Sequence, residues 1–189
     1  MAWLQDHSFF AHLTQCNTAN GRGSLGLMKA SITITSSQVA DGLLGAGKRL
    51  TVAESCTGGW IAKTLTDLPG SSAWFEYGFT TYGNNAKTDL LGVSPGLIDT
   101  FGAVSKEVAE AMAMGALNRS GADLAVAVTG IAGPDGGTAD KPVGTVWFAW
   151  AIKDTGLHSA THCFSGDRNA VREQTVAMAL QGLLPMLGG

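Results

Sequence analysis

Ala53-Glu54-Ser55-Cys56-Thr57-Gly58-Gly59 is the stretch whose reading decides the fold. A short apolar run (Leu50, Val52, Ala53) leads into it, and a segment with apolar residues at helical spacing (Ile61, Leu65, Leu68) leads out. That order predicts a strand-to-helix turn. A Ser or Thr in such a turn can cap the helix, and the glycines let another molecule approach the backbone. The first N–H groups of the helix have no partner within it, so they face whatever sits above the turn, usually something negative. Ser55 on this turn reads as a nucleophile or as a cap.

Working outward, the pattern alternates strand and helix. On the N-terminal side, Val39, Leu43 and Leu44 are read as one helical face and Gly47 as its stop. Order is expected from about Ser36. Residues 1–30 contain the polar, turn-rich run Asn17-Thr18-Ala19-Asn20-Gly21-Arg22-Gly23-Ser24 and read as a disordered or loosely attached extension, with Met28 a candidate alternative start. Residues 31–189 form the expected domain.

On the C-terminal side, the turn's helix ends at Pro69-Gly70, a second strand covers residues 75–82, and Asn84 opens a short helix through Leu91. Ser94-Pro95 reads as N-cap and N1 of another helix. Residues 105–118 are the longest interior helix, with Val108, Met112 and Gly115 inward. Leu124-Ala125-Val126-Ala127-Val128 is continuously apolar, as in a strand buried on both faces. Residues 144–152 and 157–164 flank Lys153-Asp154-Thr155-Gly156, a hairpin signal, and Asp167 caps a last helix. The expectation is an α/β fold: a mixed, mostly parallel sheet with helices on both faces, a three-layer arrangement closed by a C-terminal β-hairpin and helix.

Composition narrows the function. The 189 residues are 45% hydrophobic and 14% charged with a net charge of -3, which argues against an electrostatic nucleic-acid binder. No apolar run approaches the ~18 residues that span a membrane. Three scattered cysteines (Cys16, Cys56, Cys163) form neither a disulfide framework nor a metal pair, and the N-terminus carries Asp6 and His7 where a secretion signal is basic, so a reducing cytoplasm is expected. His158 and His162 face one side of a strand without a third ligand at metal spacing.

Three clusters exceed what packing requires: the turn at Ser55; Tyr82-Gly83-Asn84-Asn85-Ala86-Lys87 after the second strand; and Thr129-Gly130-Ile131-Ala132-Gly133-Pro134-Asp135-Gly136-Gly137 after the third. Carboxyl ends of parallel strands share one edge, where α/β proteins bind ligands. Neither glycine cluster matches a phosphate loop or a dinucleotide fingerprint. Cys56 at a helix start is expected to have a depressed pKa, but no local motif places a histidine beside it. Taken singly, Ser55 is a cap and Lys87 a solvated surface lysine. Together they make a coherent Ser–Lys pair, in which a neutral lysine takes the serine proton, Tyr82 can relay it, and N–H groups after Ser55 hold the oxyanion.

These clusters, with Leu90-Leu91-Gly92-Val93, Lys141-Pro142-Val143-Gly144-Thr145-Val146, Gly166-Asp167-Arg168 and Val171-Arg172-Glu173-Gln174-Thr175, resemble the CinA C-terminal domain family over residues 36–187. The family often has Ser where Gly83 stands. The resemblance implies an amidohydrolase of pyridine-nucleotide salvage that converts nicotinamide mononucleotide (NMN) and water to nicotinate mononucleotide and ammonia. It implies Ser55 as nucleophile with Tyr82 and Lys87 as activating partners, no metal or organic cofactor, and a homo-oligomer, dimer or higher. On this reading the N–H groups of Cys56 and Thr57 are oxyanion donors, and Gly58 and Gly59 give the substrate clearance. Asn84 and the loop Thr129, Gly130, Ile131, Ala132 and Gly133 shape the nucleotide site, and Thr57 or Arg168 reaches the phosphate. Rival readings are a non-catalytic nucleotide-binding regulatory module and a Ser–Lys amidase acting on another amide.

Overall fold

The computed structural model describes residues 24–188. Helix α1 (Ser24–Ala46) leads into strand β1 (Leu50–Glu54), and α2 (Trp60–Thr66) follows the turn. Strand β2 (Phe75–Thr80) precedes α3 (Asn84–Leu91), α4 (Pro95–Phe101) and α5 (Lys106–Ser120). Then come β3 (Leu124–Gly130), the hairpin β4 (Thr145–Ile152) and β5 (Gly156–Cys163), α6 (Arg168–Gln181) and a last turn, α7 (Leu184–Leu187). The sheet order is β2-β1-β3-β4-β5. The pairs β2–β1 and β1–β3 are parallel, and β3–β4 and β4–β5 are antiparallel. The expected mixed α/β sheet with a C-terminal hairpin and helix is therefore the fold.

Because side chains alternate across a strand, the sheet has two different faces. One carries Leu50, Val52, Leu124, Val126, Val128, Val146, Phe148 and Trp150 beneath α1, α2 and α6. The other carries Ala53, Ala125, Ala127, Ala149 and Ala151, all fully buried against α5. Alanine gives that helix a close seat on the sheet. A Cβ at Gly115 of the same helix would collide with the Leu91 carbonyl, so glycine lets α3 approach closely as well.

Two expectations at the N-terminal side change. α1 begins at Ser24, well before Ser36, while residues 1–23 of the expected extension lie outside the described residues. Leu44 is 55% exposed while Val39 and Leu43 are fully buried; five residues on is 140° around a helix, off the buried face. Gly47 does end the helix in the left-handed region (φ 62°), with Lys48 N–H donating to Leu43 O and Gly47 N–H to Leu44 O. Among the described residues no helix is long and apolar enough to cross a membrane.

Candidate active site

The parallel strands β1, β2 and β3 end at the same edge and bring the three clusters together. Ser55 extends β1 by one residue, its N–H donating to Val128 O at 3.0 Å. On the other side Thr81 N–H donates to Glu54 O at 2.8 Å, which sets the Thr81 and Tyr82 carbonyls beside the serine.

The turn itself is organised by Glu54. Its carboxylate, 1% exposed, accepts from the N–H groups of Gly59 and Ile61, each at 3.0 Å, and Ala62 at 2.8 Å. The negative group facing the helix start is thus the chain's own side chain. It satisfies the orphan N–H groups and complements the helix dipole. The chain reaches this position through Gly58 (φ 63°) and the N-cap Gly59 (φ 95°), which as a glycine offers no capping side chain of its own. Ser55 is not a cap. The N–H groups of Ile61 and Ala62 are taken by Glu54, whereas those of Cys56 and Thr57 donate to no other residue among the described residues, that of Thr57 being fully buried.

Lys87, on the first turn of α3, points inward and is 1% exposed, not a solvated surface lysine. Its Nζ lies 3.1 Å from Ser55 Oγ, 2.9 Å from Thr81 O and 3.3 Å from Tyr82 O. Nζ donates to the Ser55 hydroxyl and to both carbonyls; with the amine neutral, two N–H groups suffice for the carbonyls and the lone pair is left to accept the serine proton. Among the described residues no carboxylate forms an ion pair with it. Burial pushes Lys87 below its ordinary value of 10.5, and the only opposing influence is the neighbouring Cys56 thiol, were it ionised. Burial in turn pushes that thiol up to about 12, so it stays neutral. The expectation of a depressed Cys56 pKa is reversed. Desolvation outweighs everything else acting on this thiol, and the helix N-terminus it was expected to sense belongs to Glu54.

A cavity of about 220 Å³ opens above this pair. It is lined by Ser55, Cys56, Lys87, Asn84, Thr129 and Arg168, with the Tyr82, Ala103, Val104, Gly130 and Ala132 walls completing it. The remaining expected contacts sit elsewhere. Thr57 is fully buried with its hydroxyl unpartnered, out of reach of a phosphate. Gly58 and Gly59 border a separate open cleft with Trp60, Lys63 and Arg172. Ile131 continues the β3–β4 pairing, its N–H donating to Thr145 O, and Gly133 gives its carbonyl to Arg168. The Tyr82 ring is 59% exposed and its hydroxyl accepts from Arg168 Nη2 at 2.9 Å. Its carbonyl, not its hydroxyl, contacts Lys87, so the geometry contains no tyrosine relay.

Sequence reasoning assigned no role to three features. Glu54 could have been suspected from an acidic residue closing a buried strand just before a Gly-Gly helix start. Arg172 donates from Nε to Cys56 O (3.1 Å) and from Nη2 to Thr57 O (2.7 Å); nothing in local spacing signals a contact 115 residues away. Ala103 enters the wall because Thr129 Oγ1 donates to its carbonyl at 2.8 Å.

Residues 32–187 match the model of the CinA C-terminal domain. The chain is 55% identical to the nicotinamide-nucleotide amidohydrolase PncC of Escherichia coli K12 over 148 residues, covering 78% of this chain and 90% of that protein. It is 53% identical to the Pseudomonas putida protein of the same name, covering 82% and 96%. Among solved structures, the competence/damage inducible protein CihA of Agrobacterium tumefaciens superposes with a TM-score of 0.81 at 44% identity, covering 82% of this chain and 95% of that one.

Proposed function

The chain belongs to the CinA C-terminal domain family, and on that premise we propose that it is an NMN deamidase of pyridine-nucleotide salvage, with Ser55 as nucleophile and Lys87 as its base. The observation that carries this reading is the buried Lys87 amine, 3.1 Å from Ser55 Oγ and disfavoured as a cation. Relatives at 53–55% identity that bear the amidohydrolase name support it.

In the first half-reaction Ser55 Oγ attacks the carboxamide carbon while its proton passes to the Lys87 lone pair. The oxyanion forms against the N–H of Cys56, which lines the cavity. Collapse breaks the C–N bond, and the Lys87 ammonium returns the proton to the departing nitrogen as ammonia leaves. Water then attacks the acyl-serine, Lys87 takes its proton, and the proton is returned to Ser55 as nicotinate mononucleotide is released. The pyridinium charge of the substrate further opposes protonation of Lys87. A 220 Å³ cavity is smaller than the ~300–1,000 Å³ that encloses a whole drug-sized ligand. The ring and ribose therefore occupy it, and the phosphate stays at the rim near Arg168 and Asn84. A cytoplasmic location and a homo-oligomeric state belong to the same reading.

The direct test is ammonia release from NMN by the purified protein, with free nicotinamide, glutamine and peptide amides as competitors. Ser55→Ala should remove turnover while leaving the fold intact. A folded Ser55→Ala protein with full activity overturns the assignment.

A further inference from the structure

A second cavity, of about 480 Å³, opens between α1, α2 and α6 and shares no lining residue with the cavity above Ser55. It lies within the ~300–1,000 Å³ that encloses a whole drug-sized ligand. Glu173 of α6 lines it and is 2% exposed. Its Oε1 is sealed from water without a hydrogen-bond partner, and among the described residues its carboxyl forms no ion pair. Lys63, on the same cavity, is held instead by Asp67 at 2.6 Å. Nearly all buried polar groups in folded proteins are hydrogen-bonded, and an unpartnered buried acid destabilises the fold. An acid kept at that cost in the wall of an accessible cavity marks a place for a donor that a ligand brings.

The rest of the lining says which donor. Trp60 and the buried Ile32 supply an apolar, aromatic wall. The indole already attracts one cation, with the Arg172 guanidinium carbon 5.2 Å from its centroid. At the exposed rim stand two lysines: Lys63, whose side chain is 67% exposed, and Lys29, which has no carboxylate partner among the described residues. From the buried end outward the cavity presents an acceptor, an aromatic surface and a positive charge. The complementary molecule carries, in that order, an N–H donor, a flat ring that is better for being cationic, and an anion. A nicotinamide nucleotide has this order in its carboxamide, pyridinium and phosphate. Nicotinate mononucleotide does not, because its carboxylate has only acceptors to offer Glu173.

We propose that this cavity is a second binding site, which takes the nicotinamide–ribose–phosphate unit with the carboxamide on Glu173, the ring against Trp60 and the phosphate at Lys29. The proposal rests on the reading of NMN as substrate, and it adds a site that distinguishes the amide from the acid the reaction produces. The same unit occurs in NMN and in NAD. Trp60 also lies under Arg172, which donates to Cys56 O and Thr57 O, so the second site and the nucleophile turn share one side chain.

The test uses the full chain carrying Ser55→Ala, which holds NMN without consuming it, and titrates it calorimetrically with NMN, nicotinate mononucleotide and NAD. NMN should fill two sites per chain and nicotinate mononucleotide one. Adding Glu173→Met should weaken the second NMN site at least about tenfold, the scale of a lost hydrogen bond to a charged group, and leave the first unchanged. The melting temperature of the Glu173→Met protein should equal or exceed that of its parent, because an unpartnered oxygen holds nothing in place. NAD binding that Glu173→Met abolishes adds the dinucleotide as an occupant; without it, a Glu173-dependent NMN site assigns the mononucleotide. A single NMN site indifferent to Glu173→Met overturns the inference, as does nicotinate mononucleotide filling two sites. Loss of the second site together with a fall in melting temperature marks a loosened fold and overturns it too.

Should Glu173→Met fail to fold, Lys29→Glu at the exposed rim supplies the reading. It reverses the charge that meets the phosphate and should weaken the second NMN site about tenfold, and an unchanged second site would count against the inference. Ammonia release by the parent protein keeps the two readings apart. A parent that deamidates NMN, with a single Glu173-independent site in its Ser55→Ala form, overturns this inference alone. A parent that releases no ammonia but binds NMN in a Glu173-dependent way overturns the substrate reading and leaves the second site standing.

Discussion

Glu54 and Lys87 are each 1% exposed, lie on either side of Ser55, and are treated in opposite ways. The Glu54 carboxylate is met by three backbone N–H groups of a helix start. The Lys87 amine is met by two carbonyls and one hydroxyl, with no anion. Burying a charge is costly unless it is paired and hydrogen-bonded. The site therefore gives the residue that holds the turn a ring of N–H donors, and gives the one that must accept a proton neutral acceptors without a counter-anion among the described residues. One edge of the sheet thus contains a structural acid and a chemical base.

The largest break in this contrast is Lys87→Met, which should lower kcat by about 10²–10⁴ while raising thermal stability at neutral pH. A Lys87→Met variant that melts below its parent would mean that Lys87 holds the fold together and is not a strained base. Next comes Glu54→Gln. The amide keeps one acceptor but presents an N–H₂ to a ring of N–H donors, so unfolding free energy from urea titration should drop by about 2–3 kcal/mol. Turnover should fall with it as the turn loosens.

A subtler difference is in pH. Lys87 has its folded pKa below 10.5, so between that lowered value and 10.5 the unfolded chain binds more protons, and stability rises with pH across this window. Relative to the parent, the advantage of Lys87→Met should shrink as urea midpoints are followed from pH 7 toward 10.5. Activity should rise as pH climbs through the same lowered pKa, because only the neutral amine is a base. The smallest effect belongs to Cys56. At about 12, its thiolate fraction at pH 8 is roughly a thousandfold below that of an ordinary thiol. Iodoacetamide should leave turnover nearly unchanged and label the exposed Cys163 in preference, as read by peptide mass mapping. Rapid labelling of Cys56 would supply the anion that the Lys87 site lacks and dissolve the contrast.

Much of this architecture could be read from residue order. The apolar runs, turn signals and helical spacings located β1, β3, the hairpin and α5, and parallel strands place Ser55, Lys87 and Thr129 at one edge whatever their side chains do. The register of charges could not be read that way. Nothing local distinguishes a Lys87 that faces solvent from one that faces Ser55, because both are one turn into a helix. Cys56 was read from its place near a helix start, but burial by distant elements sets its pKa. Tyr82 offered a hydroxyl in sequence and a carbonyl in space. The Glu54 cap and the Arg172 contact depend on how α2 and α6 lie over the sheet, which is a tertiary outcome of packing.

The alanine face of the sheet sets a tolerance for all of this. Ala53, Ala127 and their neighbours fix the height at which α5 rides. The loop entering α5 carries Ala103, which Thr129 ties to the end of β3 to form one wall of the cavity. The row of methyl groups therefore works as a shim. A larger residue inserted there, remote from every reacting atom, would shift the helix and change the width of the slot in which the carboxamide must fit.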